Sequence, residues 1–343
     1  MSLLRPFRDV DPGSFKAAWR SPSNIAFVKY WGKKGHQLPA NPSLSMTLDN
    51  CFTSTKISFE KADDLEVELL FDGKPNVIFS EKVKKFLNSL AEELSFIECT
   101  KFSISTENTF PHGTGIASSA SGLSAIALCL TDFLYEAKGK RRNDDFFEVA
   151  SFISRLASGS ACRSVYGGYT SWGDVSDEYA TPFEVHPTLQ TLHDDVLVIS
   201  SEEKKVSSRA GHERMKEHPF AEARFTQARN NFEILKSVMQ NGDVIDLGRI
   251  LEEEALSLHA MMMTSPEGFT LFKPKSIEAM EKIREFRQET HLPLYFTLDA
   301  GPNLHLIYPP SDAKKIQPFI QDVLRPLGET LIEDQTGKGP IRC

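Results

Sequence analysis

Asn108-Thr-Phe-Pro-His-Gly-Thr-Gly-Ile-Ala-Ser-Ser-Ala-Ser-Gly122 links an alternating run, Lys101-Phe-Ser-Ile-Ser-Thr106, to a Pro-free stretch rich in Ala, Leu and Ile, Ile116 to Tyr135. The alternation predicts a strand, and the apolar run a buried helix. A strand, a glycine-bearing loop and a helix start suit a bound phosphate. Glycines let the backbone approach closely, while the helix's unpaired N–H groups and positive dipole end face the anion. Ser118, Ser119 and Ser121 add hydroxyls able to bond phosphate oxygens or a magnesium ion. The letters do not spell Gly-X-X-X-X-Gly-Lys-Ser/Thr, so the loop is not of the Walker type. They also suit a plain helix start whose small residues allow close packing.

Upstream of the loop, residues 1–20 are mixed and read as a loosely committed lead-in. Ile25-Ala-Phe-Val28 then leads into the aromatic and basic cluster Lys29-Tyr-Trp-Gly-Lys-Lys34. Residues 44–59 and 65–71 alternate and predict strands of an antiparallel sheet, and Ser80 reads as the N-cap of a helix bearing Val83, Phe86, Leu87, Leu90 and Leu94. Downstream, a helix is expected over 144–156, before Ser158-Gly-Ser-Ala-Cys-Arg-Ser-Val-Tyr-Gly-Gly168. After a strand at Val196–Ile199 the chain turns mainly helical. Apolar faces recur over 225–238, 247–258, 277–286 and 316–323, and two short strands, Leu294–Leu298 and Leu304–Tyr308, flank Asp299-Ala-Gly-Pro-Asn303. Mixed but not strictly alternating elements predict an α+β class rather than a doubly wound parallel sheet.

The 343 residues suffice for two domains or one large one, and a 40% hydrophobic, 25% charged content is that of a soluble globular protein. A formal net charge of −8 argues against a general nucleic-acid surface, which needs patches of Lys and Arg. Five scattered cysteines without a Cys-X-X-Cys pair suit a reducing cytoplasm and offer no zinc site. The N-terminus has no apolar core of signal-peptide length, and the most apolar stretch is broken by serines, so a cytoplasmic protein without a membrane partner is expected.

Three further groups carry possible chemistry. Lys29, Lys33 and Lys34 stand at a strand end, where an acidic phosphate-binding protein needs local positive charge, although such a run is also an ordinary solvated face. Ser158-Gly-Ser-Ala-Cys-Arg163-Ser164 offers hydroxyls and an Arg able to grip a carboxylate or phosphate through two bonds, or simply a helix cap. Asp299, at a strand end before Gly and Pro, is placed for proton transfer; the same letters suit a turn in which Asp bonds its own backbone. His112, His259 and His305 share no metal-ligand spacing and read as structural. The metal ligands are not identified by any pattern.

In combination, Asn24-Ile-Ala-Phe-Val-Lys-Tyr-Trp-Gly-Lys33, the phosphate loop, Ser158–Ser164 with Tyr166-Gly-Gly168, Val206-Ser-Ser-Arg209 and Leu298-Asp-Ala-Gly-Pro-Asn303 resemble, in the same order, the mevalonate diphosphate decarboxylases of the GHMP kinase superfamily. The resemblance implies an N-terminal ribosomal-protein-like α/β domain holding the ATP loop, a ferredoxin-like C-terminal domain, and an active site between them. The expected division is 1–190 and 191–343. It also implies ATP-dependent decarboxylation of mevalonate 5-diphosphate with Mg2+, and a homodimer.

By the same resemblance Asp299, Lys29 and Arg163 are the catalytic trio. Asn24, Tyr30, Lys33, Ser158, Ser160, Arg163 and Ala300 match substrate-binding positions. Pro111, Gly113, Gly115, Ala117, Ser118, Ser119, Ser121 and Ser208 match positions around ATP. Two departures fall on the nucleotide side: the loop reads Pro111-His-Gly-Thr-Gly115 where relatives carry Pro-Thr-Ala-Ala-Gly, and His212 stands after Gly211 where Met is usual. A relative that only phosphorylates would be expected to lose the trio. A decarboxylase of mevalonate 5-phosphate would keep it, and the basic set Lys29, Lys33 and Lys34 leans towards the diphosphate. An RNA-binding role, suggested by the ribosomal-protein-like domain type, runs against the acidic balance.

Overall fold

The computed structural model describes residues 2–11, 13–113, 115–202 and 208–343, and of Ser2, Asp144, Ser208 and Arg209 the backbone alone. The long strand Phe15–Val28 pairs antiparallel with Ser43–Lys61, and the sheet continues through Thr100–Asn108, Glu66–Phe71 and Lys74–Pro75. Tyr169–Trp172 extends it beside Ser43–Met46. Helix α1 spans Val77–Asn88, α2 spans Ser118–Ala137 and α3 spans Asp144–Ala157. Buried residues of α2, among them Leu123, Ala127, Leu130 and Phe133, join Phe59, Phe102 and Ile104 of the sheet in one core. Phe59 meets Phe102 at 4.8 Å and Phe133 at 5.1 Å between ring centres, edge-on in both cases. Such pairs contribute roughly 0.5–1.5 kcal/mol each beyond their buried area.

The second sheet runs Tyr295–Thr297, Leu304–Tyr308, His193–Val198, Thr330–Ile332, antiparallel throughout. Around it lie α4 (Ser208–Arg214), α5 (Ala221–Asn241), α6 (Val244–Thr264), α7 (Pro274–Thr290) and α8 (Ala313–Phe319). One face, with Leu197, Phe296, Leu306 and Tyr308, buries itself against Ile283, Ile316 and Ile320. The alternate residues Val196, Val198 and Ile307 enter a shared core with Ile25, Phe27, Val28, Leu44, Phe232 and Leu251. That core joins the two sheets behind the end of the first strand. Gly248 lets α6 approach closely, since a Cβ there would fall inside the Tyr295 ring. Among the described residues no helix is long and apolar enough to cross a membrane.

The mixed, non-alternating α+β class expected from the sequence is the one observed, with local corrections. Glu66–Phe71 runs parallel to Thr100–Asn108, not antiparallel, because α1 lies between them and returns the chain to its starting end. The N-cap of α1 is Asn76, whose side chain accepts the Phe79 N–H at 2.9 Å; Ser80 instead donates to the Val67 carbonyl at 2.8 Å. The extra turn carries Val77 and Ile78 on the surface, off the apolar face that marked the helix. Residues 1–20 are not a loose lead-in. Leu4 and Phe7 are buried, and Phe15, Ala17 and Trp19 alternate inward along the first strand.

The tail returns to the first sheet. The Asp334 carboxylate accepts N–H bonds from Asp49, Asn50 and Cys51 at 2.7–2.8 Å. Ile341–Arg342 then adds an edge strand beside Phe15–Val28. Arg342 Nε donates to buried Asp132 at 2.7 Å.

Candidate active site

Lys29 is the first residue beyond the strand Phe15–Val28, and its ammonium is almost wholly buried, with 1% of the side chain exposed. Nζ donates to the Ala26 carbonyl at 2.6 Å and to Asp299 Oδ1 at 3.0 Å. Its backbone N–H donates to Glu254 Oε2 at 2.8 Å. Asp299 follows the strand Tyr295–Thr297 and sits in a turn closed by the Gly301 N–H on the Asp299 carbonyl at 2.7 Å. The letters do form a turn, but the backbone closes it without the Asp299 side chain, whose carboxylate accepts from Lys29 instead.

Burial alone would push the Asp299 carboxyl up, but the charges of Lys29, His305 and Arg163 and the Lys29 hydrogen bond outweigh it and hold the group below its ordinary value. Burial pulls the Lys29 ammonium down, and Asp299 opposes that pull. The Asp299 carboxyl is therefore ionised at neutral pH.

Arg163 lies in the short 3-10 segment Gly159–Val165 and is buried. Its Nε and Nη1 are sealed from water and have no hydrogen-bond partner among the described residues. An uncompensated buried cation is costly, so the arrangement suits an anionic ligand that supplies the missing acceptors. The Tyr30 hydroxyl is likewise buried with no hydrogen-bond partner among the described residues; burial raises its pKa, so it stays a donor. Tyr30 packs edge-on against Trp172 at 4.7 Å and lies so near Gly159 that a Cβ there would meet its hydroxyl at 2.6 Å.

The phosphate-type loop closes the other side. Gly113 has φ +74°, Gly115 φ +97°, and Ala117, just before α2, is itself left-handed at φ 49° and gives α2 no side-chain cap. The first N–H groups of α2 are thus not covered by a capping side chain. The Gly113 N–H donates to Ser118 Oγ at 3.3 Å, and Lys82 Nζ lies 3.4 Å from Ser119 Oγ. A Cβ on Gly115 would meet Gly301 Cα at 3.0 Å, so the loop is pressed onto the turn that carries Asp299.

A cavity of about 930 Å³ opens between these parts. Of the residues expected from the sequence, Lys29, Tyr30, Lys33, Gly113, Gly115, Ala117, Ser118, Ser119, Ser158, Ser160, Arg163, Asp299 and Ala300 line it. Lys33 Nζ bonds Gln37 Oε1 at 2.6 Å. Asn24, Pro111 and Ser121 stand off the lining. Asn24 is buried and donates to Ser164 Oγ at 2.7 Å; the Ser121 hydroxyl bonds Thr53 Oγ1 at 2.6 Å and is structural. The Ser208 side chain, Val206 and Ser207 lie outside the described residues, as does Thr114.

The sequence reading did not single out Lys82, Lys85 or Glu81, which α1 presents to the cavity, and named His212 only as a departure from relatives. His212 accepts the Gly32 N–H at 3.0 Å through Nδ1 and lies between the rings of Tyr30 and Trp31. Nor did it find Glu254, which has no motif around it; His259, read as structural, bonds the Asp299 carbonyl. Among the described residues no three His, Cys, Asp or Glu side chains gather as a metal cluster.

Comparison with known proteins places this geometry. Residues 21–181 match the diphosphomevalonate decarboxylase-like N-terminal domain, and residues 195–339 the mevalonate 5-diphosphate decarboxylase C-terminal domain. The chain is 30% identical to the diphosphomevalonate decarboxylase of Saccharomyces cerevisiae, over 89% of its own length and 81% of that protein. It superposes on mevalonate diphosphate decarboxylase from Staphylococcus aureus with a TM-score of 0.84 at 28% identity, covering 96% of this chain and 98% of that one. A TM-score of 0.84 at 30% identity, over 96% and 99%, relates it to a structure described as MDDEF in complex with MVAPP, AMPPCP and magnesium. The fold is accordingly the two-domain α+β fold of GHMP type, and the chain belongs to the mevalonate diphosphate decarboxylase family.

Proposed function

We propose that this chain uses ATP to decarboxylate mevalonate 5-diphosphate, giving isopentenyl diphosphate, carbon dioxide, ADP and phosphate. The observation that carries the reading is the Lys29–Asp299 pair, 3.0 Å apart, in one cavity with the partnerless Nε and Nη1 of Arg163 and the glycine loop before α2. Relatives named for this reaction, and one solved with MVAPP, AMPPCP and magnesium, support it.

Asp299 is held ionised and takes the proton from the substrate's tertiary hydroxyl as that oxygen attacks the γ-phosphorus of ATP; the bond to the bridging oxygen breaks and ADP leaves. Lys29 fixes the carboxylate that receives the proton. The tertiary C–O bond then breaks, its electron pair leaving with phosphate. The C–C bond to the carboxylate supplies two electrons to the vacated carbon, forming the alkene and releasing carbon dioxide. Arg163 grips that carboxylate, with Tyr30, Ser158 and Ser160 beside it, and Lys33 lies towards the diphosphate. Gly113, Gly115 and the head of α2 cradle the ATP phosphates. Hard hydroxyl oxygens suit Mg2+, and Ser118 and Ser119 at the helix head would hold it together with the nucleotide. Bound magnesium neutralises phosphate charge as it shifts between oxygens.

We read residues 1–190 and 191–343 as the two structural units, with the two separate sheets in support and the tail strand crossing back. A cytoplasmic homodimer that binds neither nucleic acid nor membrane completes the reading; five free cysteines support the reducing setting.

The test mixes purified protein and magnesium-ATP with mevalonate 5-diphosphate or mevalonate 5-phosphate and follows ADP and carbon dioxide together. Equal release from the diphosphate alone is expected. Release from the monophosphate alone would reassign the substrate, and ADP without carbon dioxide would make the chain a kinase.

A further inference from the structure

Two buried side chains of α6 hold the backbones of both members of the Lys29–Asp299 pair. Glu254 accepts the Lys29 N–H at 2.8 Å, and His259, five positions along the same helix, bonds the Asp299 carbonyl through Nε2 at 3.1 Å. Neither partner is free to wander. Glu254 is fully buried and clamped by Arg224, at 3.0 and 2.5 Å, and by Asn231 at 2.8 Å, both from α5. The His259 ring is 1% exposed and stacked on Phe272 at 3.9 Å. A carbonyl can only accept, so His259 carries its proton on Nε2.

We infer that α6 acts as a spacer for the reacting pair, with Glu254 and His259 as positioning residues that set the distance and angle between the Lys29 ammonium and the Asp299 carboxylate. The inference rests on the proposed function for its kinetic consequence, but its structural content does not. Lys29 ends a strand of the first sheet and Asp299 follows a strand of the second, so no covalent geometry fixes their separation. The shared core sets it only to the tolerance of side-chain packing. Two hydrogen bonds from one rigid helix set it directly, and a displacement of about 1 Å at a reacting group costs on the order of a hundredfold in rate. Burial holds His259 neutral at neutral pH, with its pKa lowered to about 4.

The test uses His259→Phe, which keeps a ring over Phe272 but removes the donor, His259→Gln, which restores an N–H donor, and Glu254→Gln. Besides His259, the groups that face the Asp299 carboxyl are Lys29, Arg163 and His305. The Asp299 titration is followed by carboxylate infrared difference against Asp299→Asn, a readout that needs no substrate. His259→Phe is expected to move that titration upward as the Lys29 contact loosens, and His259→Gln to return it. In the assay, kcat should fall about tenfold or more in His259→Phe and Glu254→Gln, with KM for both substrates within roughly twofold. An unmoved titration in a folded His259→Phe protein, or a Gln variant no better than Phe, would overturn the spacer. Should His259→Phe fail to fold, Glu254→Gln carries the same two readouts, an upward Asp299 titration and a fall in kcat, and an unmoved titration there would overturn the spacer. A wild-type protein inactive on both mevalonates would end the functional reading alone and leave the titration to decide the spacer.

Discussion

Lys29 Nζ and Asp299 Oδ1, 270 residues apart in the chain, meet at 3.0 Å where the ends of two sheets converge. The carboxylate is a quarter exposed while the ammonium is sealed, so the proton acceptor faces the cavity and its counter-charge stands behind it. Asp299→Asn should keep the fold and lose turnover by about 10²–10⁴-fold, the usual worth of a general base. Steady-state kinetics with a thermal melt checks this, and near wild-type turnover would remove Asp299 from proton transfer.

The pair also fixes a pH dependence. Because the Asp299 value is depressed, the acid limb of kcat/KM should lie below the ordinary carboxylate value of about 3.9. The contribution of the Asp299 shift to stability is fully present above that value and is lost as pH falls through the depressed one. Lys29→Met leaves burial as the main influence, so any residual activity should show an acid limb moved upward. A pH–rate profile of both proteins decides it.

Arg163→Ala separates binding from stability. Its Nε and Nη1 lack partners among the described residues, so removing the guanidinium should leave the unliganded melting temperature equal or higher. Substrate affinity should fall by about 2–5 kcal/mol, as expected when one side of a buried charge pair is cut. Calorimetry with substrate alone measures the loss. An effect confined to the KM for ATP would move Arg163 to the nucleotide side.

Gly115→Ala tests the contact between loop and turn. The new Cβ meets backbone at 3.0 Å with φ at +97°, so the loop must shift. The KM for ATP should rise and the substrate KM change less, because Arg163 and Tyr30 are untouched. Equal effects on both would mean that the Gly301 side of the contact yields instead.

The elements with a marked period were legible. Alternation at Lys101–Thr106 and the long apolar run behind the loop predicted strand and helix, and the glycine loop predicted an anion site. Period also explains the misses. Val77 and Ile78 lie on the surface, so the first turn of α1 left no apolar signal. Residues 15–20 do alternate, but Ala18 is apolar on the outward face beside small Ala17, which blurred the period and hid a strand. In the candidate site, residues that carry motifs were readable, whereas Glu254 and His259 act on backbone atoms of distant segments. Such roles leave no spacing to find. Ser121 shows the converse: a hydroxyl in a phosphate-type motif that the fold spends on Thr53.

The return of the tail has a consequence for how the protein comes into being. A ribosome delivers residues in order, and the first strand acquires its outer neighbour only when Ile341–Arg342 emerges. Until Asp334 arrives, the N–H groups of Asp49, Asn50 and Cys51 lack their carboxylate, and buried Asp132 lacks Arg342. The half that carries the glycine loop is therefore completed only after every strand of the second sheet has been made, so a chain interrupted before residue 334 would reach the cell with its first sheet still open at one edge.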